Sequence, residues 1–149
     1  MQINSDSIDL LREFNAAGVE YLIVGAHAVA RYSRPRSTGD FDLYVGSNET
    51  NAERVFEALG RFGAPLAGIS AADFMDEDLV YQIGIVPVRI DILTTIDGVT
   101  FRDAYSRREV GDFDGVAATF IAREDLVANK RATGRPKDIA DLRRLQADQ

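Results

Sequence analysis

The chain contains no cysteine, so disulfides and thiolate-held metals are excluded, in keeping with a reducing cytoplasm. It also lacks any run approaching the roughly 20 apolar residues of a membrane-spanning helix. The first residues, "MQINSDSIDLLREFNAAG", have neither the basic nor the uninterrupted apolar segment of a secretory signal. A cytoplasmic protein with no membrane partner is the expectation. Internal repeats and low-complexity linkers are missing too. Positive charge is scarce over most of the length: residues 1–122 carry 10 Lys and Arg against 19 Asp and Glu, a net −9. Such an acidic body argues against broad nonspecific nucleic-acid binding, which works by neutralising phosphates. Residues 123–149 reverse the sign, with 7 basic against 5 acidic residues.

At 149 residues and 46% hydrophobic content, one domain spanning 1–149, with a basic C-terminal helical segment at about 123–149, is the expected organisation. Ile8, Leu11 and Phe14 recur at helical spacing, with Ser5 or Ser7 as the N-cap and Gly18 at the end. "EYLIVG" reads as a buried strand, "AHAVARY" as a short helix and "FDLYV" as the next strand. Val55, Phe56, Leu59 and Phe62 mark a helix that Ser47 or Asn48 can cap. "LVYQIGIV" and "VRIDILT" read as neighbouring strands with a tight or bulged turn at Pro87. "REV" and "VAATFIA" flank the hairpin signal Asp114-Gly115, and helices follow around 126–131 and 137–145. The order α-β-α-β-α-β-β-α-β-β-α-α predicts an α/β (α+β) fold, a mixed sheet flanked by helices.

Two aspartates open the "FDLYV" strand. Strand residues i and i+2 point the same way, so Asp40 and Asp42 share one face while Phe41, Leu43 and Val45 occupy the other. Paired like charges need a cation, a basic group or a proton to offset them. The spacing alone says little, because D-x-D also occurs at Asp76/Asp78 and Asp112/Asp114, where polar-connector and turn chemistry explain it. The first pair is a metal site or a solvated strand edge. In "VPVRIDILTT", Val88, Ile90 and Ile92 alternate with Arg89 and Asp91, which puts Asp91 on the polar face of a second strand. If that strand lies beside the first, three carboxylates converge, as phosphoryl or nucleotidyl transfer through one or two Mg²⁺ requires. The alternative for Asp91 is an ion pair with Arg89 or another arginine. Gly25 ends a strand and opens a helix, where free backbone N–H groups can receive a phosphate. A larger residue at 25 is then expected to block that approach while the fold survives.

The segment "VGAHAVARYSRPRSTGDFDLYV", with Gly25-Ala26 followed thirteen residues later by Asp40-Phe41-Asp42, and Asp91 on a later strand, resembles the DNA polymerase β-type nucleotidyltransferase superfamily. It is similar in particular to small bacterial nucleotidyltransferase-like proteins of the abortive-infection toxin type, with their "VGG.A....G.PR.T.D.D" pattern. "NKRATGRPKDIADLRRL" is similar to their C-terminal basic helix pair, so the likeness spans about residues 21–145. The resemblance implies an enzyme that moves an NMP group from an NTP to a hydroxyl of RNA, protein or a small molecule. Such an enzyme uses Mg²⁺ or Mn²⁺ and can belong to a toxin–antitoxin system. The alternative is a catalytically weak nucleotide-binding, antitoxin or regulatory protein of the same fold. A metal-dependent nuclease is a third reading, one that needs no Gly25 turn. The resemblance assigns Asp40 and Asp42 to the metal–triphosphate complex. Asp91 goes to the catalytic metal and the acceptor hydroxyl, and Gly25 to the triphosphate. The family's second Gly or Ser is Ala26 here, which keeps a backbone N–H but removes a hydroxyl that Ser37 or Thr38 can replace. Arg34 and Arg36 hold phosphates or neutralise Asp40 and Asp42. Lys130, Arg135 and Lys137 either meet the nucleotide, as a lysine there does in the resembling proteins, or form a solvated helix end with Asp138 and Asp141 as partners. His27, the single histidine, is a ligand contact or a packed core residue.

Overall fold

The computed structural model describes residues 5–34, 39–84 and 89–147. Arg36, Ser37 and Thr38, and the turn at Pro87, lie outside them. Helix α1 (Ser5–Ala17) buries Ile8, Leu11 and Phe14 on one stripe. It already includes Ser5, so Ser7 is a buried first-turn residue and not the cap. Gly18 ends it in the left-handed region at φ +72°, donating to Asn15 O at 3.2 Å while Val19 reaches back to Phe14 O at 3.0 Å. β1 (Tyr21–Val24) is buried throughout and runs directly into α2 (Gly25–Tyr32). β2 (Asp40–Val45) leads to α3 (Glu49–Phe62), whose N-cap is Asn48, accepting from Asn51 N at 2.8 Å.

A 3₁₀ turn at Ala71–Met75 was not signalled by hydrophobic spacing, being too short to show a period. β3 (Val80–Ile83) and β4 (Arg89–Leu93) follow, then α4 (Phe101–Ser106). The hairpin β5 (Glu109–Phe113) and β6 (Val116–Phe120) turns at Asp114 and Gly115, both with positive φ. Two helices close the chain, α5 (Arg123–Thr133) and α6 (Pro136–Ala147). Proline at the first position of α6 fits its missing N–H and fixed φ. Among the described residues no helix is long and apolar enough to cross a membrane.

The six strands form one mixed sheet in the order β3-β4-β2-β1-β6-β5. β2 is antiparallel to β1 and parallel to β4. The period-2 pattern of β2 decides which layer each residue joins. Phe41, Leu43 and Val45 enter a core built with Leu11 and Phe14 of α1 and Val55 and Leu59 of α3. On the other face, Tyr44 joins Leu22, Val24, Ala28, Val29, Leu126 and Leu145 in a second core under α2, α5 and α6. Asp40 and Asp42 therefore face a covered layer, and the cleft they occupy lies between sheet and helices.

Candidate active site

The register of the sheet brings the carboxylates together. Asp42 on β2 is directly opposite Asp91 on β4, and Asp40 is opposite Arg89. Because the two strands are parallel and adjacent, residues 40, 42, 89 and 91 all project from the same face. Arg89 occupies this cluster. Its Nε donates to Asp91 Oδ1 at 2.9 Å, and its Nη2 donates to Asp91 Oδ2 and to Asp40 Oδ2, each at 3.3 Å. Arg89 was legible in the sequence only as one alternative partner for Asp91. The i, i+2 spacing on one strand face is the signal that identifies it.

Asp42 is half-buried, between Asp91 on β4 and Gly25 at the end of β1. Its Oδ1 is buried without a hydrogen-bond partner among the described residues. Burial, then the charges of Asp91 and Asp40, push its carboxyl up to about 6, with Lys130 and Lys137 pulling the other way. Folding thus favours the protonated form. The metal-free protein is expected to lose stability as pH rises from about 4 through 6, because over that window the native state holds the proton that the unfolded chain has released. Asp42→Asn should remove this slope and raise stability at pH 7.5 by about 1–3 kcal/mol. A series of thermal melts in EDTA from pH 4 to 8 checks it; parallel curves for parent and variant would contradict it.

Gly25 sits against this carboxylate. At φ +69°, a Cβ there would overlap Asp42 Oδ2 and lie 3.2 Å from Asp42 Cγ. The absent side chain makes room for Asp42 as well as for any phosphate, so a larger residue at 25 also strains the fold. Gly25→Ala should cost about 1–3 kcal/mol, from the left-handed backbone and the displaced carboxylate together. Chemical denaturation measures this, and an unchanged midpoint would contradict it. The helix that follows begins without a side-chain cap, since Val24 is its N-cap residue. Its first-turn N–H groups are therefore open to an anion.

A cleft of about 450 Å³ joins these parts. Gly25, Ala26, Asp40 and Asp42 line it together with Lys130 and Lys137, and with Asn129 and Arg135. Seven of the sequence-derived candidates thus line one cleft, with Asp91 opposite Asp42 in the next strand. Lys137 is exposed. Lys130 is not the solvated helix residue offered as one alternative: it is buried between Asp138 at 3.3 Å and Asp141 at 3.2 Å. The Asp138 carboxyl, despite burial, is held well below the usual carboxylate range by hydrogen bonds from Arg135 and Thr133 and by Lys130. Gly134, left-handed at φ +63°, ends α5 with its N–H on Lys130 O and lets α6 fold back to form this network. His27 is a core residue: it packs edge-on against Phe41 and Phe113 at ring distances of 5.3 and 5.5 Å. Burial lowers its pKa to about 4.

The donor set suits a hard divalent cation, which takes carboxylate oxygens, and the orphaned Asp42 Oδ1 beside two more carboxylates is a position where positive charge is favoured. Yet among the described residues no three acidic or imidazole side chains are grouped to hold an ion as they stand. The guanidinium of Arg89 bridges two of the three carboxylates instead.

No protein-family model matches the sequence, and no curated protein does. Solved structures do match in fold. A lincosamide antibiotic adenylyltransferase with lincomycin bound superposes with a TM-score of 0.61 at 14% identity, over 99% of this chain and 98% of that one. A Thermotoga maritima protein assigned as a nucleotidyltransferase gives 0.58 at 15% identity, over 99% and 97%. An antigenic nucleotidyltransferase-like protein from Paracoccidioides brasiliensis gives 0.54 at 15% identity, over 95% and 73%. The chain has the nucleotidyltransferase fold.

Proposed function

We propose that the protein is a divalent-metal-dependent nucleotidyltransferase that moves an NMP group from an NTP to an acceptor hydroxyl and releases pyrophosphate. The observation that carries this is a cleft lined by Asp40 and Asp42 together with Lys130, Arg135 and Lys137, with Asp91 directly opposite Asp42 on the next strand and the uncapped N-terminus of α2 at Gly25 and Ala26. Asp40 and Asp42 hold the metal–triphosphate complex. Bound Mg²⁺ or Mn²⁺ supplies charge stabilisation for the attacking and leaving oxygens. The N–H groups of the first α2 turn and the exposed Lys137 receive phosphate oxygens. Asp91, hydrogen-bonded to Arg89 and thereby fixed in orientation, aligns the acceptor hydroxyl and takes its proton as the new P–O bond forms. Lys130 serves from behind, its ammonium fixed by Asp138 and Asp141 while it offsets the charge of Asp42.

The acceptor class is a hydroxyl of a small molecule, a protein or an RNA. The acidic body disfavours loose binding of long polyanions, which ranks the first two above the third. A toxin–antitoxin setting fits any of these acceptors. A second reading, a nucleotide-binding regulator of the same fold, is favoured by Ala26, which brings no hydroxyl to the phosphates, and by the Arg89 clamp on the carboxylates. Incubation of the protein with each of the four α-labelled NTPs and Mn²⁺, alongside RNA, the protein itself and small hydroxyl compounds, separates the two. Enzyme predicts label on one acceptor class and stoichiometric pyrophosphate. Metal-dependent nucleotide binding with no label transferred contradicts it and leaves the regulator.

A further inference from the structure

We propose that Arg89 is the resident cation of the carboxylate cluster in the metal-free protein and competes with the metal, so that metal binds tightly only when nucleotide comes with it. This rests on the metal–nucleotide reading of the same site. The placement of Arg89 is fixed by backbone, two residues before Asp91 on β4 and opposite Asp40 on β2. From there the planar fork engages both Asp91 oxygens and Asp40 Oδ2, which is the geometry a guanidinium matches well and a point charge does not. Asp42 is left with a buried Oδ1 that has no hydrogen-bond partner among the described residues.

A divalent ion ligated by these same carboxylates would lie within a few ångström of a guanidinium that never deprotonates, and the two like charges repel. For the ion to bind, Arg89 must give up at least its contact with Asp40. The route is open: the side chains of Arg89 and Asp40 keep 28% and 42% of their surface in solvent, whereas that of Asp91 keeps 11%. The guanidinium can therefore swing outward while Asp91 stays in place. The apparent affinity for free metal is reduced by the small fraction of protein in which the clamp is released. A triphosphate adds oxygen ligands and negative charge of its own, which offset that loss. Arg89 is thus a positioning residue for Asp91 and a selector against metal without substrate.

The test is a Mn²⁺ titration of the full chain, read by calorimetry and by the spin-resonance signal of free Mn²⁺, without nucleotide. Arg89→Ala is expected to bind Mn²⁺ at least about tenfold more tightly than the parent, because a like charge at contact has been removed. Arg89→Lys, which keeps the charge and loses the fork, should fall between them. If Arg89→Ala does not fold, Arg89→Gln and the lysine variant give the same ordering. A purely structural role predicts the opposite, weaker Mn²⁺ binding as Asp91 loosens. Parent binding that Asp42→Asn abolishes but that no Arg89 variant tightens overturns the exchange and leaves the metal–nucleotide reading standing. Absence of Mn²⁺ binding by every variant, with nucleotide or without, overturns both.

Discussion

Asp91→Asn is expected to lower nucleotidyl transfer by about 10²–10⁴-fold while leaving most of the metal–nucleotide affinity in place. The separation follows from where the three carboxylates stand. Asp40 and Asp42 line the cleft itself, next to Gly25 and the start of α2. Asp91 is one strand further from Gly25, buried, and turned by Arg89. An amide there keeps the shape and one oxygen but accepts no proton. The loss should therefore fall on the chemical step, with kcat reduced and the dissociation constant for Mg·NTP changed by only a few fold. A second readout guards against mere damage. The charge of Asp91 is, after burial, the largest cause that raises Asp42, so neutralising it should bring the Asp42 carboxyl down towards its ordinary value. Carboxyl titration by NMR in the metal-free protein shows this directly. If kcat holds while nucleotide affinity collapses, Asp91 belongs with the binding residues and not with the acceptor.

The largest stability effect is expected at Lys130. Its side chain is 7% exposed, and its partners Asp138 and Asp141 are 0% and 1% exposed. Removing one member of a buried ion network strands charge in a low-dielectric interior, at a cost of about 3–5 kcal/mol. Asp138 keeps Arg135, whose Nε donates to it at 2.7 Å, and Asp141 loses the Lys130 contact at 3.2 Å. Lys130→Met should cost about 3 kcal/mol, and the melting midpoint should drop by roughly 6–12 °C for a chain of this size. Lys130→Met combined with Asp141→Leu should recover much of the loss, since a packed apolar pair often equals or exceeds a buried ion pair. A double mutant as unstable as the single one would show that Lys130 supports α5 and α6 by something other than this network. Because Lys130 also lines the cleft, its nucleotide affinity must be measured in the rescued double mutant.

The local half of this architecture was legible. Period-2 alternation in "DFDLYV" and "RIDIL" assigned the two faces of β2 and of β4, and with them the common side of Asp40 and Asp42, because strand geometry leaves i and i+2 no choice. Asn48 as a cap, Gly18 as a helix end and Asp114-Gly115 as a hairpin turn follow from equally local chemistry. What depended on distant pairings was not legible. The sequence order β3, β4 gives no sign that β4, not β3, takes the place beside β2, which is what sets Asp91 opposite Asp42. For Lys130 the alternative with Asp138 and Asp141 as partners has the right partners, but a solvated helix end is wrong, since they lie eight and eleven residues on and meet it in the interior. Only the reversal at Gly134 buries all three. Gly25 was read for phosphate access, and its closeness to Asp42 emerged from the antiparallel register that sets Val24 opposite Asp42.

The central claim, that the cleft between Asp42 and the basic helix pair is a metal–nucleotide site, is tested most directly by calorimetric titration with a non-hydrolysable NTP. Four conditions suffice: parent and Asp42→Asn, each with Mg²⁺ and with EDTA. The account predicts one-site binding by the parent in Mg²⁺ only, and none by Asp42→Asn in either condition although that variant melts at or above the parent in EDTA. Equal nucleotide binding with and without Mg²⁺, or binding that survives in Asp42→Asn, would contradict it.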